Sequence, residues 1–145
     1  MAVPFLACMA AVAAFYHLPP RVLPSIHAVE GGFVGSVHRN ADGSEDLGVM
    51  QVNTRWVPVL AHYTGDSLAL TRERLVQNGC FNIAAAGAIM RTYLSETQGN
   101  LMLAIGDYHS HTPALNQAYQ TAVLDSAALI FWHRAVGPTA QKRTR

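Results

Sequence analysis

The sequence is short of charge. Only 13% of its 145 residues are Asp, Glu, Lys or Arg, while 50% are apolar. That balance excludes an extended disordered chain, and a net charge of +1 gives little electrostatic footing for nucleic acid. Cysteine is scarce as well. Cys8 and Cys80 form neither a CxxC pair nor a metal-ligand spacing. They are either two buried thiols or one disulfide, and composition leaves both open. A disulfide would imply an oxidising compartment and contribute on the order of 4 kcal/mol in the chain-entropy model. The apolar stretch Met1–Tyr16 has no basic residue before it and no convincing cleavage site, unlike a secretory signal. It is too short to span a bilayer as a helix. It reads as the first helix of the mature domain, with any export signal absent from this chain. No GxSxG is present, so serine-hydrolase chemistry of that type has no support. None of His17, His27, His38, His62, His109, His111 and His133 falls at a metal-ligand spacing, so no metal site and no cofactor are expected. Repeats, low-complexity linkers and heptads are also missing.

What is present fits one domain with a real core over residues 1–135. A flexible basic tail over 136–145 follows, with Lys142, Arg143 and Arg145 beyond Gly137-Pro138. The spacing predicts helices over about 3–16, 21–29, 55–63, 81–94, 101–108 and 113–132, with a short one begun by Thr71. Thr54 and Asn100 are the expected caps of two of them. The small residues Ala84–Ala88 mark the 81–94 helix as central and closely approached. Between Phe33 and Leu47 helical periodicity fails. Asn40-Ala41-Asp42-Gly43 signals a turn joining short strands near 36–38 and 49–52. The fold class is mainly α, an α+β arrangement with a small irregular or short-stranded region.

Glu30 stands at the junction of these two regimes. Val22, Leu23, Ile26 and Val29 share a helical face, and Gly31-Gly32 stops the helix immediately after Glu30. A carboxylate at a helix C-terminus meets the negative end of the dipole, and burial beside Val29 and Phe33 would disfavour its charge further. A carboxyl kept protonated near neutral pH can give a proton to a leaving oxygen. From position alone, however, an ordinary solvated Glu is the better explanation. Gln51 and Asn53, at period two on a strand, would face one side.

Three stretches carry a resemblance. Val29-Glu30-Gly31-Gly32, the string from Asn40 through Asp46-Leu47-Gly48-Val49-Met50-Gln51-Val52-Asn53, and Ala104-Ile105-Gly106-Asp107-Tyr108-His109 together resemble the goose-lysozyme-like lytic transglycosylases. The match is nearest to the small single-domain type found with type IV secretion, conjugation and type III secretion systems. It covers about Cys8 to Leu129. The second string is its specific part. The chain departs from the pattern at Gly31, where many relatives have Ser, and at His109, where Asn is usual.

The resemblance implies a lysozyme-like fold with the β region beside a catalytic cleft. It implies a periplasmic enzyme acting on peptidoglycan glycan strands, and as further partners the components of a secretion or conjugation complex. Glu30 would be the single catalytic residue, protonating the oxygen between N-acetylmuramic acid and N-acetylglucosamine and then closing a 1,6-anhydro ring. Ser44, Met50, Gln51, Asn53, Tyr108 and His109 would contact substrate. Cys8 and Cys80 fall where small relatives carry a disulfide. Two rivals stand beside this reading: a hydrolysing muramidase pairing Glu30 with Asp46, and a glycan-binding module without catalysis.

Overall fold

The computed structural model describes residues 3–132; the basic tail expected at 136–145 lies outside them. Among the described residues there are seven α-helices and a small antiparallel sheet. Helix α1 (Leu6–Phe15) and α2 (Val22–Glu30) precede strands β1 (Val37–Arg39), β2 (Glu45–Leu47) and β3 (Val52–Asn53). A 3-10 turn, Thr54–Trp56, leads into α3 (Val57–Thr64), followed by α4 (Leu68–Gln77) and α5 (Gly79–Glu96). Helix α6 (Leu101–His109) and α7 (Pro113–Ala127) complete the domain, α7 loosening into a π-helical turn over Ala128–Trp132. The fold is the mainly α, lysozyme-like arrangement with a small sheet that the sequence suggests. No helix among the described residues is long and apolar enough to cross a membrane.

Helix α5 is the central element, with Ile83, Ala86, Ile89 and Met90 at most 3% exposed. Its Gly87 lies against the side chains of Val12 and Tyr16, where a Cβ would collide, so they pack directly on the α5 backbone. Cys8 and Cys80 are joined as a disulfide across the same contact, Cα to Cα 5.6 Å. This resolves the alternatives left open by composition.

The hairpin region differs from expectation. The turn at Asn40–Gly43 joins β1 to β2, a strand the turn-rich composition concealed. Residues Gly48–Gln51, of which 49–51 are expected within a strand, form a tight turn between β2 and β3. Gly48 and Gln51 both have positive φ, 66° and 53°, which a strand cannot accommodate. The helix starts also move. Asn53, not Thr54, caps the 3-10 turn by accepting from the Arg55 N–H (3.0 Å), while the Thr54 hydroxyl accepts from the Glu45 N–H (3.1 Å). Ser67 caps α4 by accepting from the Leu70 N–H, and Thr71 is a fully buried residue one turn inside. Asn100 caps α6 as expected.

The hairpin is fixed to the helices by Asn82, on α5 and wholly buried. Its side-chain amide donates to the carbonyls of Leu47 (2.7 Å) and Leu75 (2.8 Å) and accepts from the Met50 N–H (2.8 Å). Two carbonyls facing the NH2 and one N–H facing the oxygen fix the orientation of the amide. Gly48 presses against this side chain and the Leu75 carbonyl, leaving no room for a Cβ.

Asn82→Ala strands three buried backbone groups, so unfolding free energy falls by about 3–5 kcal/mol, read from the urea midpoint. Asn82→Asp is nearly isosteric but cannot donate to two carbonyls, and fares no better. A loss below about 1 kcal/mol for both, an ordinary single hydrogen bond, would show that the clasp is dispensable.

Candidate active site

A cleft of about 240 Å³ opens where the end of α2 faces the sheet and the end of α6. Its walls are polar. Glu30, Asp46, Gln51, Asn53, Tyr108 and His109 all face it, together with Asn40, Asp42, Ser44, Arg55 and Trp56.

Glu30 is the last residue of α2, and Gly31 ends the helix in the left-handed conformation at φ 66°. The two glycines that follow Glu30 do different work. Gly31 has open space where a side chain would be. Gly32 packs on the Gly48 and Val49 carbonyl oxygens so closely that any Cβ would collide, which ties the end of α2 to the 48–51 turn. His27 adds to this corner through its Nε2, 3.0 Å from the Gly32 carbonyl.

Burial is the chief reason that the Glu30 carboxyl is pushed up to about 7, and the charge of Asp46 adds to the rise. Opposing both, the Tyr119 hydroxyl donates to Glu30 Oε1 at 2.6 Å and favours the ionised form. Burial and the neighbouring carboxylate push the Tyr119 hydroxyl far above its ordinary range, so it stays a neutral donor. Phe33, expected to help bury Glu30, is 67% exposed and takes no part, because the chain turns outward after Gly32.

Sequence reasoning missed Tyr119. It reaches Glu30 because α7 packs on both α2 and α6. On α7, Asn116, Tyr119 and Val123 form the buried stripe at helical spacing, a signal that was available. Asn116 seats the helix by lying directly on Gly106, where no Cβ fits, and donating to Asp107 Oδ1 (2.9 Å). The His109 ring then stacks on Tyr119, centroids 5.0 Å apart and planes within 9°.

The other expected contacts divide. Gln51 and Asn53 both face the cleft, though not by strand alternation. Gln51 reaches it from the turn, its amide NH2 donating to the Gly48 carbonyl (2.9 Å) and Ser36 Oγ (3.2 Å). Asn53 donates to Asp46 Oδ1 and Ser44 Oγ, both at 3.0 Å. Ser44 sits on the wall but bonds Asp42 Oδ1 (2.6 Å) rather than approaching Glu30 through a hydrogen bond. Tyr108 lines the cleft and donates its hydroxyl to the Met50 carbonyl (2.7 Å), not to Glu30. Met50 is a correction: its side chain is 0% exposed, in the core, and offers no face to a sugar. Its hydrophobicity serves packing, and its backbone serves the site.

A raised carboxyl makes a signed prediction. Between the unfolded carboxyl's 4.5 and about 7, the folded state binds more protons, so stability falls as pH rises through that window. Glu30→Gln removes this cost. The variant should gain about 1–3 kcal/mol over the parent at pH 8 relative to the same comparison at pH 4, measured by urea unfolding at both pH values. A difference independent of pH would mean that Glu30 titrates as an exposed carboxylate.

No curated protein matched the chain. The family comparison is positive: residues 7–126 match the Transglycosylase SLT domain, from the start of α1 almost to the end of α7. That span takes in Glu30, the clasped hairpin, Tyr108 and Tyr119, so the chain belongs to the transglycosylase SLT domain family, whose activity is of the lytic transglycosylase type acting on peptidoglycan.

Proposed function

We propose that the chain cleaves the β-1,4 bond between N-acetylmuramic acid and N-acetylglucosamine with Glu30 as its single catalytic residue, leaving a 1,6-anhydro product. The observation that carries this reading is the state of Glu30. Its carboxyl is poised at about 7 in a half-buried cleft, held by a phenol that does not ionise. Such a group can act as acid and then as base.

Protonated Glu30 gives its proton to the glycosidic oxygen, and positive charge develops at the muramic C1. Glu30, now a carboxylate and steadied by the Tyr119 hydroxyl, takes the proton of the same sugar's C6 hydroxyl. The C6 oxygen bonds to C1 and closes the ring. Neither water nor a second carboxylate is consumed, and the tethered hydroxyl has a high effective concentration. Gln51 and His109, which line the same cleft, would meet N-acetyl and hydroxyl groups of the strand.

The muramidase alternative keeps one supporting observation: Asp46 lines the same cleft and its charge is felt by Glu30. Against a nucleophilic or base role stands its hydrogen bond with Asn53 at 3.0 Å, which commits one carboxylate oxygen to the wall. The compartment on this reading is the periplasm, supported by the Cys8–Cys80 disulfide. The service of a secretion or conjugation apparatus rests on the likeness of the motifs to the small secretion-associated type.

Mass spectrometry of products from purified peptidoglycan tests the chemistry. Anhydromuramic ends are expected and Glu30→Gln should release less than about one part in a thousand of the parent; reducing ends would point to hydrolysis. With Glu30 needed as an acid, kcat/KM should fall about tenfold per pH unit above about 7. Tyr119→Phe removes the bond that favours the anion, so this fall should begin at higher pH while kcat drops. An unmoved alkaline limb would separate Tyr119 from the titration of Glu30.

A further inference from the structure

The described residues contain six arginines and no lysine. Five of the arginines have an evident employment. Arg39 and Arg72 reach Glu45, and Arg74 pairs with Asp66. Arg21 lies over the Phe131 ring at 5.1 Å, and Arg91 donates to the Tyr16 carbonyl at 3.4 Å. Arg55 is the exception. It faces the cleft and has no carboxylate within ion-pair distance among the described residues.

Its place is nonetheless built. The Asn53 side chain fixes the Arg55 backbone by accepting from its N–H at 3.0 Å. Its Nη2 points to the Tyr93 hydroxyl at 3.5 Å. The Tyr93 ring is itself 4% exposed and held edge-on between Trp56 (5.7 Å) and His111 (5.3 Å). The other charged groups on the cleft, Glu30, Asp42 and Asp46, are all carboxyls. Asp42 is already engaged, accepting from the Ser44 N–H (2.9 Å) and Oγ (2.6 Å). One exposed guanidinium, whose charge reaches Asp42 but which makes no ion pair among the described residues, therefore stands on a wall that otherwise repels anions.

Resting on the transglycosylase reading of the same cleft, we propose that Arg55 is a specificity-determining residue that anchors a carboxylate of the substrate. The sugar backbone of a glycan strand is uncharged. Its anionic groups are the carboxylates of the peptide stems or, where the stems have been removed, the carboxylate of the lactyl ether on each muramic acid. A guanidinium offers two parallel N–H donors matched to a carboxylate, a fit that an ammonium does not reproduce. Polymers of N-acetylglucosamine alone have nothing to offer it. Arg55 thus discriminates muramic-acid strands from neutral ones, while Glu30 does chemistry that is indifferent to that charge.

The test compares the parent, Arg55→Ala and Arg55→Lys on stem-bearing strands, on amidase-stripped strands, and for binding of chitohexaose, a neutral oligosaccharide. For Arg55→Ala, KM on the carboxylate-bearing strands should rise about tenfold with kcat within about twofold, and the chitohexaose Kd should stay within about twofold. Arg55→Lys should fall between, and the difference should shrink at high salt. A loss confined to stem-bearing strands assigns the anchor to the stem; one confined to stripped strands assigns it to the lactyl group. An equal loss on chitohexaose, or no loss on any strand, overturns the proposal. Arg55-dependent binding of strands that are never cleaved would sink the transglycosylase reading and leave the anchor standing.

Discussion

One buried amide holds the hairpin that walls the cleft to the rest of the protein. Asn82 brings together the end of β2, the end of α4 and the turn after Gly48, three segments with no regular hydrogen-bonding pattern in common. Leaving these backbone groups unpaired inside the core would cost more than most single contacts return. The clasp in turn fixes its neighbours. The Met50 N–H binds Asn82 and the Met50 carbonyl receives the Tyr108 hydroxyl, so one buried residue links α5 to α6 through its own backbone. The Gly48 carbonyl lies against Gly32 and so ties the end of α2, where Glu30 stands, to the turn. The conformation of a loop is thereby converted into the position of a carboxylate.

The electrostatics of that carboxylate are a balance rather than a simple burial. Desolvation and Asp46 drive Glu30 towards its neutral form, and the Tyr119 hydroxyl draws it back. A fully desolvated carboxyl would hold its proton too tightly to give it up, and a solvated one would have no proton left to give at neutral pH. With the carboxyl near 7, both forms are within reach at neutral pH, as the proposed role of acid and then base requires. The phenol suits this because it donates in either state without contributing charge.

Much of this was legible in the sequence where the signal was local. The glycine pair after an amphipathic stretch placed the end of α2, small residues identified α5 as the closely approached helix, and Asn100 and the Thr112-Pro113 pair marked two helix starts. The failures share a different cause. Thr54 and Thr71 look like caps, but Asn53 and Ser67 lie one and four residues earlier, and tertiary packing selects them. Met50 sits inside the most specific string, yet its neighbours turn the side chain inward and expose Gln51 through a positive φ that no periodicity predicts. Tyr119 is 89 residues from Glu30, and only the packing of α7 across α2 and α6 brings them together.

The two departures from the family pattern have physical readings of opposite kinds. At Gly31 the backbone is left-handed and the space beyond it is open, so glycine relieves strain that a serine would bear and gives up only a hydroxyl. His109 is an addition. A flat ring lies on the face of Tyr119, at the end of α6 where an amide would be too small to cover it. The stack joins the end of α6 to the phenol that donates to Glu30 Oε1 at 2.6 Å.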